Sequence, residues 1–267
     1  MGEVIGVGQQ EAIVDNMQWV TEVKFSPRQL PLGQIAVPAE PTVHLWHLDL
    51  EALWKTLATA LGDESSEDQD QPLALTMGQL RFARRFYLRM LLGAYLGIPG
   101  KDVALDRSAR GKPILDYRRY GQGLHFSLAK SGQRLLIGIA GESEIGVDLE
   151  IGNRKPRNAT RLAKRFFTNQ EARAVYALEE GERDAEFMRI WACKEAVAKA
   201  SGHGIANRFC RFSVDAACGA SPTVVEDPDH SPEDWKLALV IPECGYLAAV
   251  AVRQPALQLE GFRIKAN

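Results

Sequence analysis

Hydrophobic and polar positions divide the chain into segments of recognisable period. Residues 42–50 form a mixed apolar run of strand length, and Leu53, Trp54, Leu57, Ala58 and Leu61 then fall on one face of a helix. Between Gly62 and Pro72 the apolar positions give way to Asp63, Glu64, Glu67, Asp68 and Asp70, the make-up of a solvated loop. A second helix is predicted over Met77–Leu96, stopped by Gly97 with Pro99 just beyond. The middle reads as β: a short strand at 125–128, then 134–140 and 144–150 flanking Gly141-Glu142-Ser143 as a hairpin. Helices follow over 159–180 and about 183–201, the second closed by Gly202 and Gly204. Strands at 209–214, 236–240 and 246–252 complete the pattern. Residues 1 to about 40, punctuated by Pro27, Pro31, Pro38 and Pro41, show no sustained period and read as an extension packed late. No strand–helix–strand alternation runs throughout, so the expected class is α+β rather than doubly wound.

Composition narrows the class of protein. At 267 residues, with 46% hydrophobic and 25% charged, the chain has the balance of a soluble globular protein able to bury a core without disulfide staples. A net charge of −2 excludes a strongly cationic nucleic-acid coat, so no nucleic-acid partner is expected. No apolar run approaches the roughly eighteen residues of a membrane helix. The N-terminus also lacks the basic-then-apolar layout of a secretory signal. Cys193, Cys210, Cys218 and Cys244 form neither a CxxC pair nor a ligand cluster, which fits free thiols in the cytoplasm.

The chemistry concentrates in two segments. In Gly146-Val147-Asp148-Leu149-Glu150, strand alternation puts Asp148 and Glu150 on one face and Val147 and Leu149 on the other. Two carboxylates side by side on a core-like strand repel each other and resist desolvation, so the face is either open to water or paired with a cation. All-oxygen ligands without nearby His or Cys would select Mg²⁺ or Mn²⁺ over zinc. In the segment running from Trp191 to Lys199, Trp191, Glu195 and Lys199 share a helical face. Alone, this is a buried Trp beside an exposed Glu–Lys pair. Beside the strand it supplies a third carboxylate and a lysine, the equipment of phosphoryl chemistry.

Candidate phosphate-facing cations come from elsewhere. Arg81, Arg85 and Arg89 repeat every four residues with Arg84 adjacent, and like charges at that spacing call for something anionic opposite: the acidic loop, solvent or a phosphorylated ligand. Gly111-Lys112-Pro113 offers close backbone approach, a cation and a fixed ring, and Lys130 adds a further cation. Neither a Walker loop nor GxGxxG is present.

Gly146–Glu150 (GVDLE) followed about forty residues later by WACKEAVAKASGHG resembles the signature of the Sfp-type 4′-phosphopantetheinyl transferases. The glycine–lysine–proline tripeptide, the segment Phe126–Gly132 and Lys164-Arg165-Phe166-Phe167 add to the resemblance, which spans roughly residues 42–252. It implies an α+β fold of two similar α/β subdomains related by a pseudo-two-fold, with coenzyme A between them. The chain then divides into an N-terminal extension (1–41), an N-terminal subdomain (42–141), a C-terminal subdomain with the metal site (142–255) and a tail (256–267). The implied activity is Mg²⁺-dependent transfer of phosphopantetheine from coenzyme A to a serine of an apo acyl or peptidyl carrier protein, releasing 3′,5′-ADP. Asp148, Glu150 and Glu195 match the metal ligands, and Glu195 and Lys199 match the catalytic pair. Arg85, Arg89, Lys112, Pro113 and Lys130 match the coenzyme A contacts. A monomer is the family expectation.

The chain departs from the family where Phe-Asn-x-Ser-His-Ser is usual: it reads Phe126-Ser127-Leu128-Ala129-Lys130-Ser131, losing a hydroxyl at Ala129 and exchanging a titrating imidazole for a fixed cation at Lys130. Six basic and no acidic residues between Gly152 and Gln170, with Arg161, Lys164 and Arg165 as the docking candidates, would steer an acidic carrier, or are simply solvated. Two other classes stay open at this point: a Mg²⁺-dependent phosphohydrolase using the same acids, and a non-catalytic binder of coenzyme A or carrier protein.

Overall fold

Two helices and two sheets, each sheet apolar on both faces, stack into four layers. The computed structural model describes residues 19–60, 75–152, 154–202 and 209–265. In chain order the strands are β1 (Phe25–Arg28), β2 (Thr42–Asp49), β3 (Leu105–Arg107), β4 (Pro113–Leu115), β5 (His125–Ser131), β6 (Arg134–Ala140), β7 (Ile145–Ile151), β8 (Ser213–Asp215), β9 (Thr223–Glu226), β10 (Trp235–Val240), β11 (Tyr246–Arg253) and β12 (Gln258–Ile264). The helices are α1 (Leu50–Ala60), α2 (Met77–Leu96), α3 (Tyr117–Tyr120), α4 (Ala159–Phe166), α5 (Asn169–Ala177) and α6 (Glu180–Ala200). The fold is α+β. Among the described residues no helix is long and apolar enough to cross a membrane.

One sheet has the order β1-β12-β2-β6-β5 and another the order β10-β11-β7. Alternation along β2 and β6 sends Trp46, Leu48, Leu135, Ile137 and Ile139 to one side, where they pack on Leu80, Tyr87, Leu88 and Leu91 of α2. Val43, Leu45 and Leu136 point the other way and meet Val147, Leu149, Ala248 and Val250 of the second sheet. The far side of that second sheet, with Leu239, Ala249 and Ala251, packs on Ala192, Ala196 and Ala200 of α6. Each half is therefore a sheet backed by one long helix, the two sheets face to face.

The helix ends carry the expected chemistry. Thr76 and Gln79 form a reciprocal capping box on α2, and Gly97 closes it in the left-handed conformation (φ 67°) that a side chain disfavours. The predicted helix over 159–180 breaks after Phe166, because Thr168 starts α5 with its own capping box to Glu171.

Three predicted features differ. Residues 134–140 and 144–150 do not form a hairpin. β6 is bonded to β2 and β5, whereas β7 is bonded to β11, so the two face each other across the layers. The hairpin partner of β6 is β5. The strand predicted at 209–214 is Ser213–Asp215. Residues 258–264, set apart as a tail in the sequence, form β12 and lie between β1 and β2. Leu61, the acidic stretch 62–72 and the second glycine of the α6 stop, Gly204, lie outside the described residues.

β7 and α6 touch backbone to backbone at Gly146. A Cβ there would lie 1.8 Å from the Ala196 carbonyl oxygen and 2.5 Å from the Ala200 nitrogen, both main-chain atoms that cannot swing aside. Gly146→Ala is accordingly expected to cost on the order of 3 kcal/mol of stability by forced separation of strand and helix. Urea unfolding checks this; a loss below about 1 kcal/mol would show that the crossing has slack.

Candidate active site

The close approach at Gly146 brings two sets of charges together. Asp148, two residues on, points to the α6 side of β7, and Glu195 and Lys199, one turn apart on α6, face it. Lys199 Nζ lies 2.7 Å from Asp148 Oδ1 and 3.4 Å from Glu195 Oε2, and donates to the Val147 carbonyl at 3.1 Å. Glu150 lies on the same face of β7, and its Oε2 pairs with Arg154 Nη1 at 3.1 Å. The Glu–Lys pair that sequence alone reads as exposed is instead sunk between strand and helix: Asp148 is 5% and Glu195 9% exposed.

Burial shapes the electrostatics. It pushes the Glu195 carboxyl up to about 7, aided by the Asp148 charge and opposed by Lys199. Glu150 is raised by burial first and by Asp148 second, and burial raises Asp148 in spite of the ammonium beside it. For Lys199 burial works against the charge, but Asp148 and Glu195 outweigh it and hold the ammonium above the usual lysine range. Asp148 Oδ2 is buried without a hydrogen-bond partner. Among the described residues no three His, Cys, Asp or Glu side chains stand as a group able to hold a metal ion; Lys199 occupies the space between two of these carboxylates.

A cleft of about 340 Å³ opens over Lys199. Arg110, Gly111, Lys112 and Pro113 wall one side, Phe126, Ser127 and Leu128 another, and Ala198 and Gly202 the third. The glycine–lysine–proline loop, the first half of β5 and the C-terminus of α6 thus converge, although they are far apart in sequence. Pro113 and Leu128 also line a second cleft of about 750 Å³, whose other wall carries Arg81, Arg84, Arg85, Arg89 and Arg107. The arginine row of α2 therefore looks into a groove that adjoins the Lys199 cleft at Pro113 and Leu128. Lys112 Nζ is spent internally, donating to the Lys199 carbonyl at 2.7 Å and the Ile145 carbonyl at 3.1 Å. Burial pushes this lysine down to about 8.

Other predicted residues stand apart. Lys130 is exposed at the far end of β5, donates to the Gly132 carbonyl at 3.0 Å and lines neither cleft. Arg161, Lys164 and Arg165 are exposed on α4, with the Arg165 guanidinium over the Phe166 ring. Sequence reasoning missed two supports. Ser127 Oγ accepts from the Val147 N–H at 3.1 Å, tying β7 to β5. Lys194, fully buried next to Glu195, pairs with Glu171 at 2.7 Å and donates to the Phe212 carbonyl, while Glu171 also accepts from Val214. The Thr168-x-x-Glu171 capping pattern is visible in sequence, but nothing local announces its second partner.

Comparison with known proteins shows the family. A model of the 4′-phosphopantetheinyl transferase superfamily matches residues 144–251. The 4′-phosphopantetheinyl transferase HetI of Nostoc sp. is 33% identical over 224 residues, covering 79% of this chain and 87% of that protein. The putative 4′-phosphopantetheinyl transferase slr0495 of Synechocystis sp. is 37% identical over 156 residues, covering 58% and 59%, and Sfp of Bacillus subtilis is 27% identical over 168, covering 63% and 71%. A holo-(acyl-carrier-protein) synthase from Bacillus anthracis, solved in complex with CoA (3′,5′-ADP), aligns at 22% identity with a TM-score of 0.35, over 42% of this chain and 96% of that one.

The raised carboxyl of Glu195 has a consequence for stability. Its proton is held more tightly in the folded chain than in the unfolded one, so its stabilising contribution is complete below the ordinary value of 4.5 and is lost as pH rises through about 7. Glu195→Gln, neutral throughout, should therefore melt higher than the wild type at about pH 8 in EDTA, and the gain should vanish near pH 4.5. Thermal midpoints at the two pH values decide it; a variant less stable at the higher pH would mean that the Lys199 pairing outweighs burial.

Proposed function

The chain belongs to the 4′-phosphopantetheinyl transferase superfamily, and from that membership we propose that it moves phosphopantetheine from coenzyme A to a serine of an apo acyl or peptidyl carrier protein, with Mg²⁺ and with release of 3′,5′-ADP. The observation that carries this reading is that the Lys199 cleft, whose lysine is paired with the buried Asp148 and Glu195, adjoins an arginine-lined groove suited to a ligand with several phosphates.

Asp148, Glu150 and Glu195 are the residues that would hold the cation. Their donor set is all oxygen, burial disfavours their charges, and one Asp148 oxygen lacks a partner, so a hard divalent ion would suit them once Lys199 no longer fills the space between Asp148 and Glu195. Bound there, Mg²⁺ supplies neutralisation of the pyrophosphate charge and orientation of the reacting phosphate.

The residues of the chain do the rest. Arg85 and Arg89 take phosphate charge in the groove, and Pro113 with Leu128 bounds the passage between the two clefts. The carrier serine Oγ forms a bond to the β-phosphorus as the bond from that phosphorus to the oxygen bridging to 3′,5′-ADP breaks. Glu195 accepts the serine proton as the general base. Lys199, whose charge the buried acids secure, neutralises the departing oxygen. Arg161, Lys164 and Arg165 on the exposed face of α4 steer the acidic carrier.

Incubating purified chain with coenzyme A, Mg²⁺ and an apo carrier protein should add one phosphopantetheinyl group to the carrier by intact mass. EDTA should abolish the addition, and Asp148→Asn should slow it on the order of a hundredfold or more. The same cation should raise the thermal midpoint of the wild type but not of that variant. Coenzyme A cleaved without any carrier product would replace the transferase by a hydrolase. Coenzyme A bound but unreacted across several carriers would leave a binder.

A further inference from the structure

The Lys112 ammonium is well placed to hold the site together. Ile145, whose carbonyl it bonds, begins the strand that carries Asp148 and Glu150; Lys199, whose carbonyl it also bonds, lies in the last turn of the helix that carries Glu195. One side chain from a loop of the other half thus bonds to both elements of the carboxylate site, beside the point where Gly146 presses against Ala196.

The loop is built to deliver that side chain. Gly111 takes a positive φ of 84°, its N–H donates to the Ser108 carbonyl at 2.8 Å, and Arg107 Nη1 donates to its carbonyl at 2.9 Å. The Lys112 N–H reaches Ser108 Oγ at 3.1 Å, and its carbonyl accepts from the Ser108 N–H at 2.9 Å. At the other end, the Lys199 carbonyl lies in the last turn of α6, where its backbone bond is a long one from the Gly202 N–H at 3.4 Å and a cation is favoured by the helix dipole.

We propose that Lys112 is a positioning residue: by bonding the carbonyls of Ile145 and Lys199, it clamps strand β7 and the end of α6 to the glycine loop and so fixes Lys199 against the carboxylates. Its ammonium is thereby committed to the protein rather than to a phosphate of the coenzyme. As a kinetic claim this rests on the transferase reading; as a structural one it does not.

Lys112→Met keeps the reach of the stem and removes the ammonium. Transfer by this variant should show kcat reduced about tenfold to a hundredfold, with KM for coenzyme A within about twofold of the wild type. Amide exchange in the free protein should speed up at the start of β7 and the last turn of α6. Lys112→Cys treated with 2-bromoethylamine, which rebuilds an ammonium of nearly the same reach, should restore both, with identically treated wild type as the control. The opposite split, KM raised with kcat and exchange unchanged, would overturn the clamp and make Lys112 a coenzyme contact. A wild type that transfers nothing would sink the transferase reading alone, because the exchange measurement still decides: faster exchange in those two segments supports the clamp, and unchanged exchange refutes it.

Discussion

The arrangement of the site depends on the Lys199 ammonium lying between Asp148 and Glu195. Both acids are buried, and without a cation their repulsion and desolvation would drive β7 and α6 apart. Shape and charge act together here. Gly146 lets the two backbones touch, which removes water from the acids, and the removal of water makes one ammonium effective against both of them. Among the described residues the ion pairs of this corner join three carboxylates to two cations, Lys199 and Arg154, which leaves a negative excess. A polyphosphate would add to that excess, which is the electrostatic reason for joining the proposed transfer to a divalent cation.

Much of this site was legible locally. Strand period two put Asp148 and Glu150 on one face, and helical period four put Glu195 and Lys199 on another. What could not be read was burial. Polar residues at helical spacing look like a solvated face, and only the packing at Gly146 turns that face inward. The misread hairpin has a similar origin. β6 and β7 are apolar runs joined by a short turn, as hairpin strands are, but each already has its bonding partners elsewhere. Gly138 leaves room for Ile145 and Val147, so the two strands meet face to face instead of edge to edge. β12 was hidden for a converse reason. Gly261 interrupts its pattern, and a Cβ at that position would come within 3.0 Å of Lys24 and 2.8 Å of Val23, residues leading into β1. The residue that spoils the strand signal is the one that admits the neighbouring strand.

Lys112 shows why a motif match does not by itself assign a role. The tripeptide fits the family signature and lies at the cleft, as a coenzyme contact would. Yet its side chain ends on two carbonyls of the opposite half. The same loop therefore presents Pro113 to the ligand space while its cation braces the wall behind. Sequence spacing places the loop but says nothing of which way its lysine points.

The cations of the two clefts differ in kind, and that difference divides the labour. Arg81 and Arg85 are exposed and stand in a row on α2, so their field reaches into solvent and weakens as salt rises. Lys199 is largely enclosed, its charge secured by two acids, and its position is set through both its side chain and its carbonyl. Capture needs reach and tolerates motion, whereas neutralising a leaving oxygen needs a charge already oriented before the bond breaks. Pro113 and Leu128, shared by both clefts, place the exposed row and the enclosed lysine along one path. A ligand held by several phosphates in the groove can then present one of them at Lys199 without leaving the arginines. Lys130 lies off this path, on the same face of β5 as Phe126 and Leu128 but beyond them. Its cation therefore meets a ligand only where that ligand extends past both clefts.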